Sequence, residues 1–104
     1  MSLSTHVLDA VMGAPAAGLA VALERDGEVL VRARTDDDGR VRDLGAPVAG
    51  RHRLTFDTGA WFAAAGRATF YPEVVVTFEV TDPEAHHHVP LLLSPFAYST
   101  YRGS

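Results

Sequence analysis

Histidines are the most reactive side chains in this sequence. His6 lies in the alternating segment Ser4-Thr5-His6-Val7-Leu8-Asp9, and His86, His87 and His88 stand together near the other end. Neutral imidazole near pH 7 can take or give a proton, so His6 and His88 are candidates for general acid–base catalysis, although a single histidine in a strand is more often a packing residue. In a strand His86 and His88 share a face, and with a third ligand they could bind zinc.

Arg53 is a candidate for binding an electron-rich substrate. It follows His52 in a second alternating segment, where Leu54 and Phe56 occupy the apolar face. A guanidinium presents a planar fork of donors that can hold a substrate edge and stabilise negative charge. The alternative is a solvated charge at the edge of a sheet.

The sequence ends in Tyr101-Arg102-Gly103-Ser104. Most chain ends are frayed, whereas aromatic and charged residues up to the last position indicate an end that is held in place. Gly103 would let the backbone turn, and Ser104 could place a hydroxyl and a carboxylate beside the histidines to orient an imidazole or a water. Ser104 lacks a Gly-x-Ser-x-Gly context, so a nucleophile elbow is not supported.

Short strands must position these side chains. Asp26-Gly27 predicts a hairpin turn, and Asp57-Thr58 predicts the N-cap of a short helix over residues 59–65. Seven or eight strands with turn signals every 8–12 residues or so predict an all-β sandwich. The predicted strands cover residues 3–8, 19–24, 28–34, 40–43, 51–56, 73–80 and the two halves of 86–104, which a Ser94-Pro95 turn joins.

Composition excludes several classes of protein. The net charge of −4 offers no basic field for nucleic acid or an anionic membrane, and the absence of cysteine excludes disulfides and thiol chemistry. No apolar run approaches about 20 residues, so we expect no membrane span and a cytoplasmic location. The length predicts one domain, residues 1–104. The acidic turn Asp36-Asp37-Asp38-Gly39 lacks the later glutamate of a calcium loop.

Four segments together resemble the 5-hydroxyisourate hydrolase family of transthyretin-like proteins. They are Ser4-Thr5-His6-Val7-Leu8-Asp9, Gly50-Arg51-His52-Arg53-Leu54-Thr55-Phe56-Asp57-Thr58-Gly59, Phe70-Tyr71-Pro72-Glu73-Val74, and the closing stretch from His86 to Ser104. The last is the most specific, because its Tyr-Arg-Gly-Ser end resembles the enzymes and differs from transthyretin itself.

The resemblance implies a transthyretin-like β-sandwich of two four-stranded sheets with one short helix. It also implies a homotetramer, with active sites in a channel between dimers, that hydrolyses 5-hydroxyisourate to 2-oxo-4-hydroxy-4-carboxy-5-ureidoimidazoline without metal or cofactor. The implied residues are His6, Arg53, His88 and Ser104 for catalysis, and His6, Arg53, Tyr101, Arg102 and Gly103 for substrate binding. Either His6 or His88 could be the base.

Two positions depart from the family pattern. His52 and His87 stand where the family commonly has tyrosine. Neither is an implied catalytic position, so we expect activity to be retained and local packing or pH response to differ. The alternative functions are a carrier that binds a small aromatic ligand without chemistry, and a zinc protein that uses His86 and His88.

Overall fold

Two β-sheets packed face to face make up the computed structural model, which describes residues 2–104. Met1, the first residue of the predicted domain, lies outside the described residues. The strands are β1 (Leu3–Asp9), β2 (Ala14–Pro15), β3 (Ala20–Arg25), β4 (Glu28–Arg34), β5 (Arg40–Val41), β6 (Gly50–Phe56), β7 (Val74–Val80), β8 (His87–Ser94) and β9 (Ala97–Thr100), and helix α1 is Thr58–Ala64.

The first sheet is organised around β1. It runs parallel to β8 on one side, and β8 pairs with β9 at the far edge. On the other side, two two-residue strands pair antiparallel with β1: β2 with its C-terminal end and β5 with its middle. Because β2 and β5 share one edge, this five-stranded sheet is four strands across. The predicted segment 40–43 shortens to β5, whereas β2 lies between the predicted strands 3–8 and 19–24, where no strand was predicted.

The second sheet has the antiparallel order β4-β3-β6-β7. Asp26 and Gly27 take φ angles of 52° and 78°, the left-handed pair that a two-residue hairpin requires, so the predicted hairpin is confirmed. The predicted strand 28–34 is also confirmed, because β4 has these bounds.

A core of aliphatic and aromatic side chains fills the space between the sheets. Alternate residues of the long strands point inward, as in β8, where His87, Val89, Leu91 and Leu93 are all buried. Phe62 of the helix packs into this core. The predicted β-sandwich with one short helix is confirmed for residues 2–104, and no helix in this range is long and apolar enough to cross a membrane.

Helix α1 begins where its sequence predicts. The Asp57 side chain accepts a hydrogen bond from the backbone N–H of Ala60 at 3.4 Å, and the helix ends at Ala64. Trp61 Nε1 donates to the carbonyl of Ala17 at 2.7 Å. The cap and these contacts hold a helix too short to be stable alone.

Candidate active site

Strand pairing brings His6, Arg40 and His88 to one face of the first sheet. Arg40 of β5 stands directly opposite His6, and Ser4 stands opposite His88 in the parallel β1–β8 pair. Ser4 and His6 are two residues apart on β1, so they share a face, and His88 is a diagonal neighbour of His6. This face is the outer one, because Leu3, Thr5 and Val7 point into the core.

An open cleft of about 260 Å³ lies over this face. Its lining includes Arg40, Arg42, His86, His88 and Ser104. Four of these five side chains carry nitrogen donors that can bind an anionic or electron-rich molecule. The cleft can therefore hold a small polar substrate beside two imidazoles and two guanidinium groups.

His88 is held as a neutral imidazole. Burial lowers the pKa of His88 below the ordinary 6.5, and the positive charge of Arg40 lowers it further, with smaller contributions from His86 and His6. These four effects disfavour the protonated form and together outweigh the hydrogen bond with Ser4, which raises the pKa of His88. At neutral pH this side chain is thus ready to accept a proton.

Arg40 is placed by the acidic turn that precedes it. The carboxylate of Asp36 accepts hydrogen bonds from the backbone N–H groups of Asp38 and Arg40, each at 2.9 Å. Gly39 has φ 75°, and any Cβ there would collide with the carbonyl of Val7. The turn therefore lies directly against β1, which sets Arg40 beside His6.

The end of the chain folds back along β8. Gly103 N–H donates to the carbonyl of His88 at 2.9 Å, and the two residues form a β-bridge. A Cβ on Gly103 would run into the His88 ring. Glycine is required here because the backbone passes close to the His88 ring, more than for the freedom to turn that we expected. The expected fixed end is thus observed, and it brings Ser104 to the cleft.

Tyr101 and Arg102 lie on the other side of this tail. Both are exposed, and with Thr100 they line a separate cavity of about 300 Å³ between the tail and β7. His88 borders both cavities. Of the four closing residues, Ser104 therefore lines the cleft, Gly103 packs on His88, and Tyr101 and Arg102 face elsewhere.

Arg53 lies apart from this cleft within the chain. It belongs to β6 in the second sheet, where it pairs with Glu24 and Thr77. His52, Leu54 and Phe56 point into the core, so Arg53 must point away from it on the outer face of that sheet. The structure thus brings together His6, His88 and Ser104 but not Arg53. Sequence reasoning missed Arg40 and Ser4 and considered His86 only as a zinc ligand. For Arg40, the glycine turn before a short strand was the available signal.

His52 and His87 are core residues. Each Nδ1 donates to a nearby backbone carbonyl, Gly50 at 3.1 Å for His52 and Ala85 at 3.0 Å for His87. Each Nε2 is buried without a hydrogen-bond partner, and the His52 ring stacks on Phe78 with centroids 5.9 Å apart. His87 thus points away from the cleft, on the face opposite to His88, as the alternation predicts. In the part of the chain that the structure describes, no three His, Cys, Asp or Glu side chains form a group that could hold a metal ion.

Comparison with known proteins identifies relatives along the whole chain. The HIUase/Transthyretin family model matches residues 3–103. The 5-hydroxyisourate hydrolase of Caulobacter vibrioides is 46% identical, over 98% of this chain and 97% of the relative. The structure of Klebsiella pneumoniae 5-hydroxyisourate hydrolase superposes with a TM-score of 0.92 at 44% identity, covering 99% of this chain and 93% of that one. Sea bream transthyretin in complex with thyroxine has a TM-score of 0.89 at 33% identity, covering 99% and 95%. The resemblance that the sequence motifs indicate is confirmed: this chain belongs to the HIUase/Transthyretin family.

Proposed function

We propose that this chain hydrolyses 5-hydroxyisourate to 2-oxo-4-hydroxy-4-carboxy-5-ureidoimidazoline, with the cleft between β1, β5 and β8 as its active site. The observation that carries this proposal is the meeting of Arg40, His88 and Ser104 in one cleft, beside His6, in a chain 46% identical to a 5-hydroxyisourate hydrolase. Ring opening of a cyclic amide needs a base for water, a cation for the developing oxyanion and a proton for the leaving nitrogen. The cleft supplies all three.

His88 is the base in this scheme. It is neutral at pH 7 because burial and the neighbouring positive charge lower its pKa. His88 takes a proton from water as the water oxygen bonds to the ring carbonyl carbon. The imidazolium then gives this proton to the ring nitrogen as the C–N bond breaks, so His88 returns to its starting form.

Arg40 is the cation in this scheme, in the role that the sequence reading gave to Arg53. Its guanidinium is half-buried on the same face as His6 and His88, and it already acts electrostatically on His88. A fixed positive charge beside the reacting carbonyl stabilises the tetrahedral oxyanion. His6, between Arg40 and His88, then orients the substrate, and Ser104 orients the substrate or the attacking water.

This scheme requires no metal or cofactor. We therefore expect hydrolysis to survive dialysis against EDTA. Loss of activity that zinc restores would instead assign His86 and His88 as metal ligands. The test needs protein that was purified without a histidine tag.

A homotetramer with active sites between dimers completes the proposal. Exposed apolar side chains crowd one end of the first sheet: Val11, Met12, Phe70 and Phe96 are 62–72% exposed. Backbone hydrogen bonds bring these side chains together. One joins the turn after β1 to the end of β8, and another joins residue 70 to the residue that follows β8. Association would bury this patch and enlarge a modest core.

We further propose that residues 1–104 form a single hydrolase domain, and that it acts in the cytoplasm.

A direct assay tests the function. Uricase converts urate to 5-hydroxyisourate in the cuvette, and ultraviolet absorbance follows its decay with and without the protein. We expect accelerated decay, reduced about 10²–10⁴-fold by His88→Ala or Arg40→Ala. Arg53→Ala and His87→Tyr are the matched controls and should retain activity. Decay at the spontaneous rate with folded protein present would refute the hydrolase and favour a carrier of small aromatic ligands.

A further inference from the structure

A chain of hydrogen bonds connects His88 to two serines and a second histidine. Ser4 Oγ lies 2.7 Å from His88 Nδ1 and 3.0 Å from His86 Nε2, and His86 Nδ1 lies 2.7 Å from Ser2 Oγ. The rings of His86 and His88 stack with centroids 6.5 Å apart. Ser4 is thus held between two imidazoles.

The register of the sheet fixes this arrangement. Ser4 stands opposite His88 in the parallel β1–β8 pair, so its side chain must lie beside His88 on the cleft face. Ser4 is 7% exposed, whereas His86 is exposed to solvent. A buried hydroxyl needs hydrogen-bond partners, and the two imidazole nitrogens are the partners that Ser4 has here.

The single hydroxyl proton of Ser4 couples the tautomers of His86 and His88. A serine hydroxyl has one proton, so Ser4 can donate to one of its two neighbours. If Ser4 donates to His86, then His88 carries its proton on Nδ1 and its Nε2 is free to act as a base. If Ser4 donates to His88, the proton of neutral His88 sits on Nε2, and no basic nitrogen faces the substrate.

We infer that Ser4 and His86 are positioning residues that hold His88 in the tautomer protonated on Nδ1. This inference rests on the proposed function of the same cleft. His86 Nε2 accepts the Ser4 proton, which leaves a Ser4 lone pair for the Nδ1–H of His88. The same arrangement serves when His88 has taken a proton from water, because the imidazolium also donates from Nδ1. No hydrogen bond must therefore reverse during the reaction.

Nitrogen NMR tests the tautomer without substrate. Two-bond ¹H–¹⁵N correlation spectra of the histidine rings, recorded at pH 8 where free imidazole is neutral, distinguish the two nitrogens. We expect wild-type His88 to carry its proton on Nδ1. Ser4→Ala and His86→Phe should shift His88 toward the Nε2–H form. His86→Gln should preserve the wild-type form, because its amide oxygen can accept the Ser4 proton. Ser99→Ala and His87→Tyr are matched controls and should leave His88 unchanged.

Kinetics provide the second readout. We expect Ser4→Ala and His86→Phe to lower kcat about 10–100-fold with little change in KM, since fixing a histidine tautomer contributes up to about 10⁴-fold to catalysis. His86→Gln should recover most of the loss. Wild-type His88 protonated on Nε2, or Ser4→Ala with both tautomer and kcat unchanged, would overturn the inference. Wild-type protein inert toward 5-hydroxyisourate would refute the proposed function, while the nitrogen shifts would still decide the tautomer.

Discussion

At the scale of single residues, the surroundings of His88 are organised to keep its imidazole neutral. Burial and the Arg40 charge both lower the pKa of His88 below 6.5. For a base that must be unprotonated, activity is full above the lowered pKa and falls as pH drops through it. The rate should therefore persist into a pH range where an ordinary histidine is already protonated.

The pH dependence of kcat/KM checks this expectation. The acid limb should have its midpoint below 6.5, the ordinary pKa of histidine. Arg40→Gln removes a positive charge, so the residual activity should show an acid limb at higher pH as well as a lower plateau. Arg53→Gln removes the same charge from the other sheet and should change neither the midpoint of the acid limb nor the plateau. An acid limb unmoved by Arg40→Gln would mean that another group controls it.

Gly103 makes a second prediction at this scale. Gly103→Ala places a Cβ against the His88 ring, so the ring or the tail must move. Because displacing a reacting group by about 1 Å can cost about 10²-fold, we expect a loss of kcat of that order with little change in thermal unfolding. Ser99→Ala, in the strand that leads to this tail, is the control.

Removing Gly103 and Ser104 tests the same region. The deletion should also depress kcat strongly while melting behaviour and assembly stay nearly unchanged, because neither residue belongs to the core. Full activity after this deletion would show that the tail is dispensable.

At the scale of secondary structure, an ion pair ties the end of β1 to the segment after the helix. Arg67 Nη1 donates to Asp9 at 2.6 Å, and the guanidinium packs 4.9 Å from the Phe62 ring. Burial raises the pKa of Asp9, but hydrogen bonds from Arg67 and from the backbone of Met12 and Val11 outweigh it and leave the pKa below 3.8. This pair therefore stabilises the fold at neutral pH.

Arg67→Met keeps much of the packing on Phe62 and removes the charge. We expect the free energy of unfolding to fall by about 1.5–3 kcal/mol at pH 7, the usual range for a hydrogen bond to a charged group. Because the folded pKa of Asp9 is lowered, the difference should shrink as pH falls below 3.8 and Asp9 becomes protonated. Chemical denaturation at pH 7 and pH 3 measures it, with exposed Arg32→Met as the control. An equal loss at both pH values would assign the effect to packing.

At the scale of the whole molecule, the apolar end of the first sheet predicts assembly. We expect a homotetramer by light scattering at assay concentration. The double variant Met12→Glu/Phe96→Glu should weaken it, because both side chains are more than two-thirds exposed in the single chain. Val48 is an exposed apolar residue between β5 and β6, and Val48→Glu should not weaken the tetramer. A fully active monomer would contradict a site built between subunits.

Local patterns in the sequence determined the elements and the family. Alternation predicted β1, β3 and β6, the two faces of β6, and the opposite directions of His87 and His88 in β8, because side chains along a strand point to opposite sides. Asp-Gly predicted the β3–β4 hairpin, and an aspartate before an alanine-rich segment predicted the helix cap. The closing motif indicated the family, and it also drew attention to His88 and to the end of the chain.

Tertiary structure alone decided which side chains share the cleft. Alternation shows which face of a strand is buried, but not which strand lies next to it. Arg40 and Arg53 both look like charged strand residues in the sequence, and strand pairing places Arg40 beside His6 and Arg53 in the opposite sheet. Ser4 and His88 are separated by 84 positions, and their contact depends on the parallel register of β1 and β8. Long-range pairing of this kind is set by packing of the whole sandwich, so no local pattern encodes it.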